Sequence, residues 1–387
     1  MNGKKPLMNY RRVQKLQTPL LLSGALLSGV GTSVSIPLVI LGIAIMLFAI
    51  VIGALYYRCP HCGRPLGRIG DSVAYCPHCG KALNAPVEEP VRSITVPAYA
   101  KLNLTLDILG KRDDGYHEMK MVMQTISLHD DVTVTLTDKG IACRVAGAEL
   151  PCDERNLAVK AAKVFCEAMD YRGGIDIALI KRIPSEAGMA GGSADAAGVL
   201  VGLNELYGAK LSMSELCAIG AGIGADVPFA LMGGTCRVRG VGDLMKALPP
   251  CPDCWFVVAM PSVGVSTPEA FARYDTMGSP VHPDCEAQEQ AIRNNDLPGV
   301  CAAAGNALEH CSGADETPAI CKTLRAQGAV TAQMTGSGAA VFGIFDRQDA
   351  ARKAVAALKS SYRQVYLCKP TRGGPFVTAR RLFGAKK

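Results

Sequence analysis

Acid is nearly absent from the first part of this chain. Between Met1 and Val87 there is one carboxylate, Asp71, against nine basic residues: Lys4, Lys5, Arg11, Arg12, Lys15, Arg58, Arg64, Arg68 and Lys81. The formal net charge of +7 over 387 residues therefore belongs to the N-terminal end, and the rest is close to neutral. A body without excess positive charge gives no electrostatic reason to expect a nucleic-acid partner. Charge of either sign is missing from Thr18 to Tyr57, which excludes a solvated surface segment there. A disulfide framework is missing too. Of the sixteen cysteines, most stand singly in apolar contexts such as Val164-Phe165-Cys166 and Leu216-Cys217-Ala218, in a chain too long for a secreted scaffold. A reduced, cytosolic main body is expected. The pair Cys251 and Cys254 has no second pair nearby and reads as ordinary loop rather than a metal or redox site.

The charge-free block reads as membrane. One span takes roughly 20 apolar residues. Ile36 to Tyr57 meets this alone, whereas Leu20 to Val34 is shorter and richer in Gly and Ser. A cleaved signal peptide would carry a shorter apolar core, of roughly 7–15 residues. Residues 1–17 are basic and acid-free, and Arg58, Arg64 and Arg68 follow the block, so both ends are expected in the cytoplasm. The expectation is a transmembrane helical hairpin, about 18–35 and 36–57, turning near Gly31-Thr32-Ser33. It would anchor the chain in the cell membrane.

Residues 58–83 contain CPHCGRPLGRIGDSVAYCPHCGKAL. Two CPHCG knuckles supply four thiolates, Cys59, Cys62, Cys76 and Cys79, the donor set of a tetrahedral structural Zn²⁺. His61 and His78 are surplus to a closed site of this kind. A small zinc ribbon is expected, with the metal supplying most of its folding energy. The sequence names no partner for it. Residues 84–93, which include NAPVEEP, read as a linker.

From Ile94 the pattern alternates between strand and helix. AKLNLTLDI (Ala100 to Ile108) sets Leu102, Leu104, Leu106 and Ile108 on one face and Lys101, Asn103, Thr105 and Asp107 on the other. Pattern alone predicts a half-buried strand whose polar face meets water. Asp113-Asp114-Gly115 reads as a turn, Asp131 to Thr137 as a strand, and Asn156 as the cap of a helix ending near Met169. Ile175 to Ile183 predicts a strand that runs into PSEAGMAGGSADAAG, followed by a helix from about Ser193 to Tyr207 that stops at Gly208. Glycines between a strand and a helix N-terminus make an anion site from backbone N–H groups and the helix dipole. This loop lacks the Gly-Lys-Ser/Thr ending of a P-loop, which excludes that fold of phosphate site. Ser212-x-x-Glu215 is a capping box. Asp226 is the single charge between Glu215 and Arg237, either a local cap or a chemical group with a tuned pKa. A second glycine loop, MTGSGAAVF, includes Gly336, Ser337 and Gly338. Asp349 to Ser360 and Gln364 to Cys368 predict a closing helix and strand.

PAYAKLNLTLDI, IPSEAGMAGGSADAA and TGSGAAVF, in that order, resemble the three motifs of the GHMP kinases, the superfamily of galactokinase, homoserine kinase, mevalonate kinase and phosphomevalonate kinase. GKRDDGYHEM and GADVPFALMGGTCRVRGVGD resemble the branch acting in the non-mevalonate (methylerythritol phosphate) route to isoprenoids. The likeness begins near Ile94 and covers about three quarters of the chain.

It implies an α+β fold of two α/β lobes: a ribosomal-protein S5-like N-terminal lobe (94–250) and a ferredoxin-like C-terminal lobe (251–387). It also implies transfer of a phosphoryl group from ATP, with Mg²⁺, to the 2-hydroxyl of a cytidylated methylerythritol. On this resemblance Asp226 is the general base, and Lys101 is its cationic partner, facing Asp226 rather than the loop. The ATP loop comprises Pro184, Ser185, Glu186, Ala187, Gly188, Met189, Ala190, Gly191, Gly192, Ser193 and Ala194. Asn103 would touch the substrate near its reacting end, Tyr116 and His117 would read cytosine, and Phe271 would stack on the base. The loop departs from the family in having fewer glycines, Ala194 where a second serine is common, and a carboxylate at Glu186. Two other readings stay open. One is a GHMP kinase for a different small alcohol; the other is a membrane-tethered sensor whose kinase-like body only binds ligand. The presence of both Lys101 and Asp226 favours an enzyme.

Overall fold

The structure, a computed structural model, describes residues 10–56, 58–59, 64–66, 75–76, 78–80, 83, 91–279, 281–377 and 379–382. It divides into two compact units, Met1–Glu89 and Pro90–Lys387.

In the first unit α1 (Tyr10–Val34) and α2 (Ile36–Tyr56) pair closely. The break falls at Ser35, not at residues 31–33 as expected. Pro37 explains it. Proline fits the first turn of a helix, where its missing N–H has no partner to lose, so α2 has to begin just before it. Gly24 and Gly42 let the backbones meet. A Cβ on Gly42 would lie 2.5 Å from the Gly24 carbonyl oxygen and 2.3 Å from Ser28 Oγ. Among the described residues no helix is long and apolar enough to cross a membrane. Cys59, Leu66, Cys76 and Leu83 form a small buried cluster, with a bridge between Arg58 and Pro65. Cys62 and His61 lie outside the described residues.

The second unit begins with β1 (Val91–Lys111), so strand already occupies the end of the stretch read as linker. β1 pairs along its length with β2 (His117–Thr137), turning at residues 113–115 with Gly115 at φ 84°. β3 (Ile141–Ala146) and α3 (Leu157–Ala168) follow; Asn156 caps α3 by accepting the Ala158 N–H at 3.0 Å. β4 (Gly174–Ile180) leads into α4 (Gly191–Tyr207), which stops at Gly208 in the left-handed region, as predicted, but begins two residues before Ser193. α5 (Met213–Ala221) carries the Ser212–Glu215 capping box. α6 (Val227–Met232), β5 (Thr235–Gly240) and β6 (Leu244–Ala247) complete the lobe.

Its sheet runs β2, β4, β3 away from β1, with β5 on β2 and β6 on β5. The small residues of α4 serve packing. Gly198 and Gly202 lie over Val132 and Val134, where an added Cβ would come within 3.0 and 3.2 Å of valine methyls, so the helix sits close on β2.

In the second lobe come β7 (Trp255–Ala259), α7 (Thr267–Met277), α8 (Cys285–Arg293), α9 (Leu297–Ala302) and β8 (Gly305–Asn306). After them come α10 (Thr317–Ala326), β9 (Thr331–Met334), β10 (Val341–Phe345), α11 (Gln348–Lys359), β11 (Val365–Cys368) and β12 (Ala379–Leu382). The strand order β11-β7-β10-β9 is antiparallel throughout, the ferredoxin-like split arrangement. Ile320 and Leu324 of α10 and Ala351, Ala354 and Leu358 of α11 cover it. The two lobes are not separate along the chain. β8 and β12 belong to the second lobe by sequence, yet both pair with β1.

Candidate active site

The site is assembled on β1. Both faces of this strand are buried, and the polar face does not meet water. Lys101, Asn103, Thr105 and Asp107 are each no more than 6% exposed. Pairing with β2 slips between Tyr99 and Lys101 and again between Asn103 and Thr105. Such bulges free backbone groups and re-aim side chains. Here the freed groups reach the two glycine loops. Lys101 N–H donates to Met189 O at 3.2 Å, and Asn103 N–H to Thr335 Oγ1 at 2.9 Å.

The first loop has positive φ at every second residue: Glu186 (52°), Gly188 (67°) and Ala190 (57°). Alternation of this kind turns successive N–H groups toward one side, an anion-binding concavity at the N-terminus of α4. Glu186 and Ala190 hold this conformation without being glycine, at a cost of about 1–2 kcal/mol each. Ser193 and Ala194 lie inside α4. The second loop stands against the first, with Ala339 N–H donating to Glu186 O at 3.1 Å. Glu186 itself is exposed and packs beside Gly264, at the mouth rather than among the loop's N–H groups.

A cavity of about 810 Å³ is lined by Lys101, Asn103, Pro184 to Gly192, Asp226, Tyr116, His117, Phe271, Gly336 and Ser337. Ser193, Ala194 and Gly338 are not in its wall. The resemblance implied that Lys101 faces Asp226 rather than the loop, and the structure differs. Lys101 Nζ donates to Gly188 O at 2.6 Å and to Asn103 Oδ1 at 2.5 Å, so it grips the loop directly. Burial pushes the Lys101 ammonium pKa down, and the nearby charge of Asp226 opposes this. Asp226 precedes α6 but its side chain caps nothing there, and among the described residues its carboxylate at the cavity wall has no ion-pair partner. At the other end Phe271 stacks on His117, with centroids 4.8 Å apart and planes 30° apart. Tyr116 is mostly exposed.

Several residues that shape the site escaped the sequence reading. Lys181 sits three residues before the loop and lines the cavity. It bonds Asp130 and, at 2.6 Å, Asp195 Oδ2, all three being buried. Its position between a strand and a glycine loop was the available signal. Asn306 holds the second loop by donating to Met334 O and Gly336 O at 3.0 and 2.8 Å. A lone asparagine in a helix-rich stretch gave no sign of that. The Asp275 carboxylate meets His117 Nε2 at 2.6 Å.

In the first unit, Cys59, Cys76 and Cys79 bring their sulfurs within 4.8 Å of one another. Burial acts to raise the Cys76 thiol pKa. N–H groups of His78 and Cys79, with the neighbouring thiols, outweigh it and bring it to about 7. His78 Nε2 pairs with Pro65 O at 3.0 Å, away from the sulfurs.

Two lobes closing a glycine-loop cavity over a buried lysine define a small-molecule kinase of the GHMP type. Residues 156–234 match the family described as GHMP kinases N terminal domain, and residues 289–364 match GHMP kinases C terminal. The 4-diphosphocytidyl-2-C-methyl-D-erythritol kinase of Clostridium tetani is 42% identical over 276 residues, covering 71% of this chain and 99% of that protein. Its counterpart in Clostridium novyi is 40% identical, covering 70% and 98%. A crystal structure of 4-(cytidine 5'-diphospho)-2C-methyl-D-erythritol kinase superposes with a TM-score of 0.62 at 34% identity, covering 73% of this chain and all of that one. The chain belongs to the 4-diphosphocytidyl-2-C-methyl-D-erythritol kinase family.

Proposed function

We propose that the second unit transfers the terminal phosphoryl group of ATP to the 2-hydroxyl of 4-diphosphocytidyl-2-C-methyl-D-erythritol. One observation carries the reading: a single cavity holds the glycine loop, Lys101 and Asp226, and the His117–Phe271 stack. Phosphoryl transfer asks for positioning and charge stabilisation more than for covalent chemistry. Loop N–H groups and the α4 dipole hold phosphate oxygens without a P-loop lysine. Asp226 takes the proton of the attacking hydroxyl. Lys101 fixes the loop through Gly188 O and places its ammonium beside the reacting centre.

ATP brings Mg²⁺, a hard cation bound through carboxylates and phosphate oxygens. The residues present fit it, because the cavity wall carries two carboxylates, Glu186 and Asp226, with no protein ion pair among the described residues. Glu186, an exposed carboxylate of the cavity wall, is suited to the ion, which would offset its repulsion of phosphate. The metal neutralises phosphate charge when bound.

A coupled ADP-release assay on the full chain tests the reading, with the cytidylated substrate, homoserine and mevalonate. Turnover is expected with the first alone, lost by about a thousandfold or more in Asp226→Asn and strongly reduced in Lys101→Ala. Full activity of Asp226→Asn would sink the general-base role.

For the first unit the reading is a zinc ribbon, Cys59, Cys62, Cys76 and Cys79, below a hairpin anchor in the membrane, with the catalytic unit on the cytoplasmic side. Three thiols already converge, and Cys62 is the fourth by spacing. Leu22, Leu26, Ile36, Ile40, Leu47 and Phe48 are each more than half exposed, apolar surface of the kind lipid covers. The described side chains of α2 end at Ile52, while the whole helix of 21 residues is about 30 Å long.

A further inference from the structure

His117 is gripped by a residue that the catalytic scheme does not use. Phe271 and Asp275 stand four residues apart on α7 and so share one face. Phe271 covers the imidazole, Tyr274 stands edge-on to it at 6.1 Å, and Asp275 Oδ1 lies 2.6 Å from Nε2. The other oxygen, Oδ2, takes Lys111 Nζ at 2.5 Å. The Lys111 ammonium first, and His117 next, hold the Asp275 carboxyl below the usual carboxylate range. Asp275 is therefore an anion near neutral pH and has no proton to donate. The hydrogen bond must run from Nε2–H to the carboxylate. In a neutral imidazole the second nitrogen, Nδ1, is then bare and can only accept. Among the described residues no partner occupies Nδ1.

We infer that Asp275, seated on Lys111, is a positioning residue that fixes His117 in its Nε2–H tautomer and so makes the cavity select a base with an exocyclic amine. Cytosine carries an amine at ring position 4, and it can donate to Nδ1. Uracil carries a carbonyl there, and two acceptors facing one another leave a buried polar group unpaired, which is costly. The identity of the ligand rests on the kinase reading above; the tautomer does not.

The test uses the full chain labelled with ¹⁵N-histidine, the His117 signals being assigned among six histidines by their loss in His117→Gln. Without substrate, the wild type should give the Nε2–H pattern. Asp275→Ala and the nearly isosteric Asp275→Asn, whose amide presents either a donor or an acceptor, should show both tautomers. In kinetics, KM for the cytidylated substrate should rise about tenfold in Asp275→Ala with kcat within about twofold, the scale of one hydrogen bond lost from binding. Preference over the uridylated analogue should shrink by a similar factor. An Nδ1–H wild type, a spectrum unchanged in both variants, or an unchanged cytidine-to-uridine ratio would overturn the inference. A wild type with no turnover on any substrate would overturn the kinase reading instead, and the spectra would still decide the tautomer.

Discussion

Gly188 has φ of 67°, and an added Cβ would lie 2.2 Å from Thr335 O and 3.0 Å from Gly338 N. It is one of the points at which the two glycine loops touch, and its own carbonyl receives Lys101. Gly188→Ala is expected to lower stability by about 2 kcal/mol or more and to raise KM for ATP, since strain and clash both act on the loop. Urea midpoints and ATP saturation curves measure the two effects. Gly192→Ala is the control. Among the described residues its Cβ would meet a Leu157 methyl at 3.6 Å and nothing nearer, so little change in stability is expected. At this scale the sequence was read well where a residue type has one physical use. Asn156 before an apolar run, Ser212 before Glu215 and Gly208 after Tyr207 are caps in the structure as predicted. It was read poorly at Lys101. The alternation in AKLNLTLDI is real, but alternation says which face a side chain shares, not what covers that face. A cover built from residues 184–192 and 334–338 cannot be read from the strand itself.

Among elements, Lys181 ties the end of β4 to β2 and α4. One ammonium serves two buried carboxylates, and Asp130 already accepts the N–H groups of Arg182 and Ile183 at 2.5 and 2.9 Å. Asp195 Oδ1 is left buried without a hydrogen-bond partner among the described residues. Burial, with the charge of Asp130, therefore raises the Asp195 pKa to about 7 against the opposing pull of Lys181. The sign follows from linkage. A value raised from about 3.8 in the unfolded chain contributes stability that is full below pH 3.8 and lost as pH rises through about 7. Wild-type Tm is thus expected to fall between pH 5 and pH 8, and Asp195→Asn to flatten that slope. A slope identical in both proteins would refute the assignment. The bulges of β1 belong to this scale as well. They release the N–H groups of Lys101 and Asn103 to the loops, and a slip in pairing leaves no trace in residue pattern because it depends on the partner strand.

At the scale of the whole molecule, two units each have their own buried clusters, and the cavity wall runs from Lys101 to Ser337, entirely within the second. The ribbon reading predicts about one zinc per chain, lost in Cys76→Ser. Elemental analysis measures that, flotation with vesicles tests the anchor, and turnover with Mg²⁺ supplied should survive in Cys76→Ser because every described residue lining the cavity belongs to the second unit. Zinc retained in the variant would exclude Cys76 as a ligand. By itself the sequence determined the local elements, the α+β class, the two glycine loops and the family, since periodicity, caps and motif spacing are short-range properties of the chain. Tertiary structure alone decided that β8 and β12 return to β1, that Lys101 holds the loop, and that Asp275 meets His117. Those contacts join residues 87 to 291 positions apart. They form only when both lobes pack on one strand, and no local pattern can encode that.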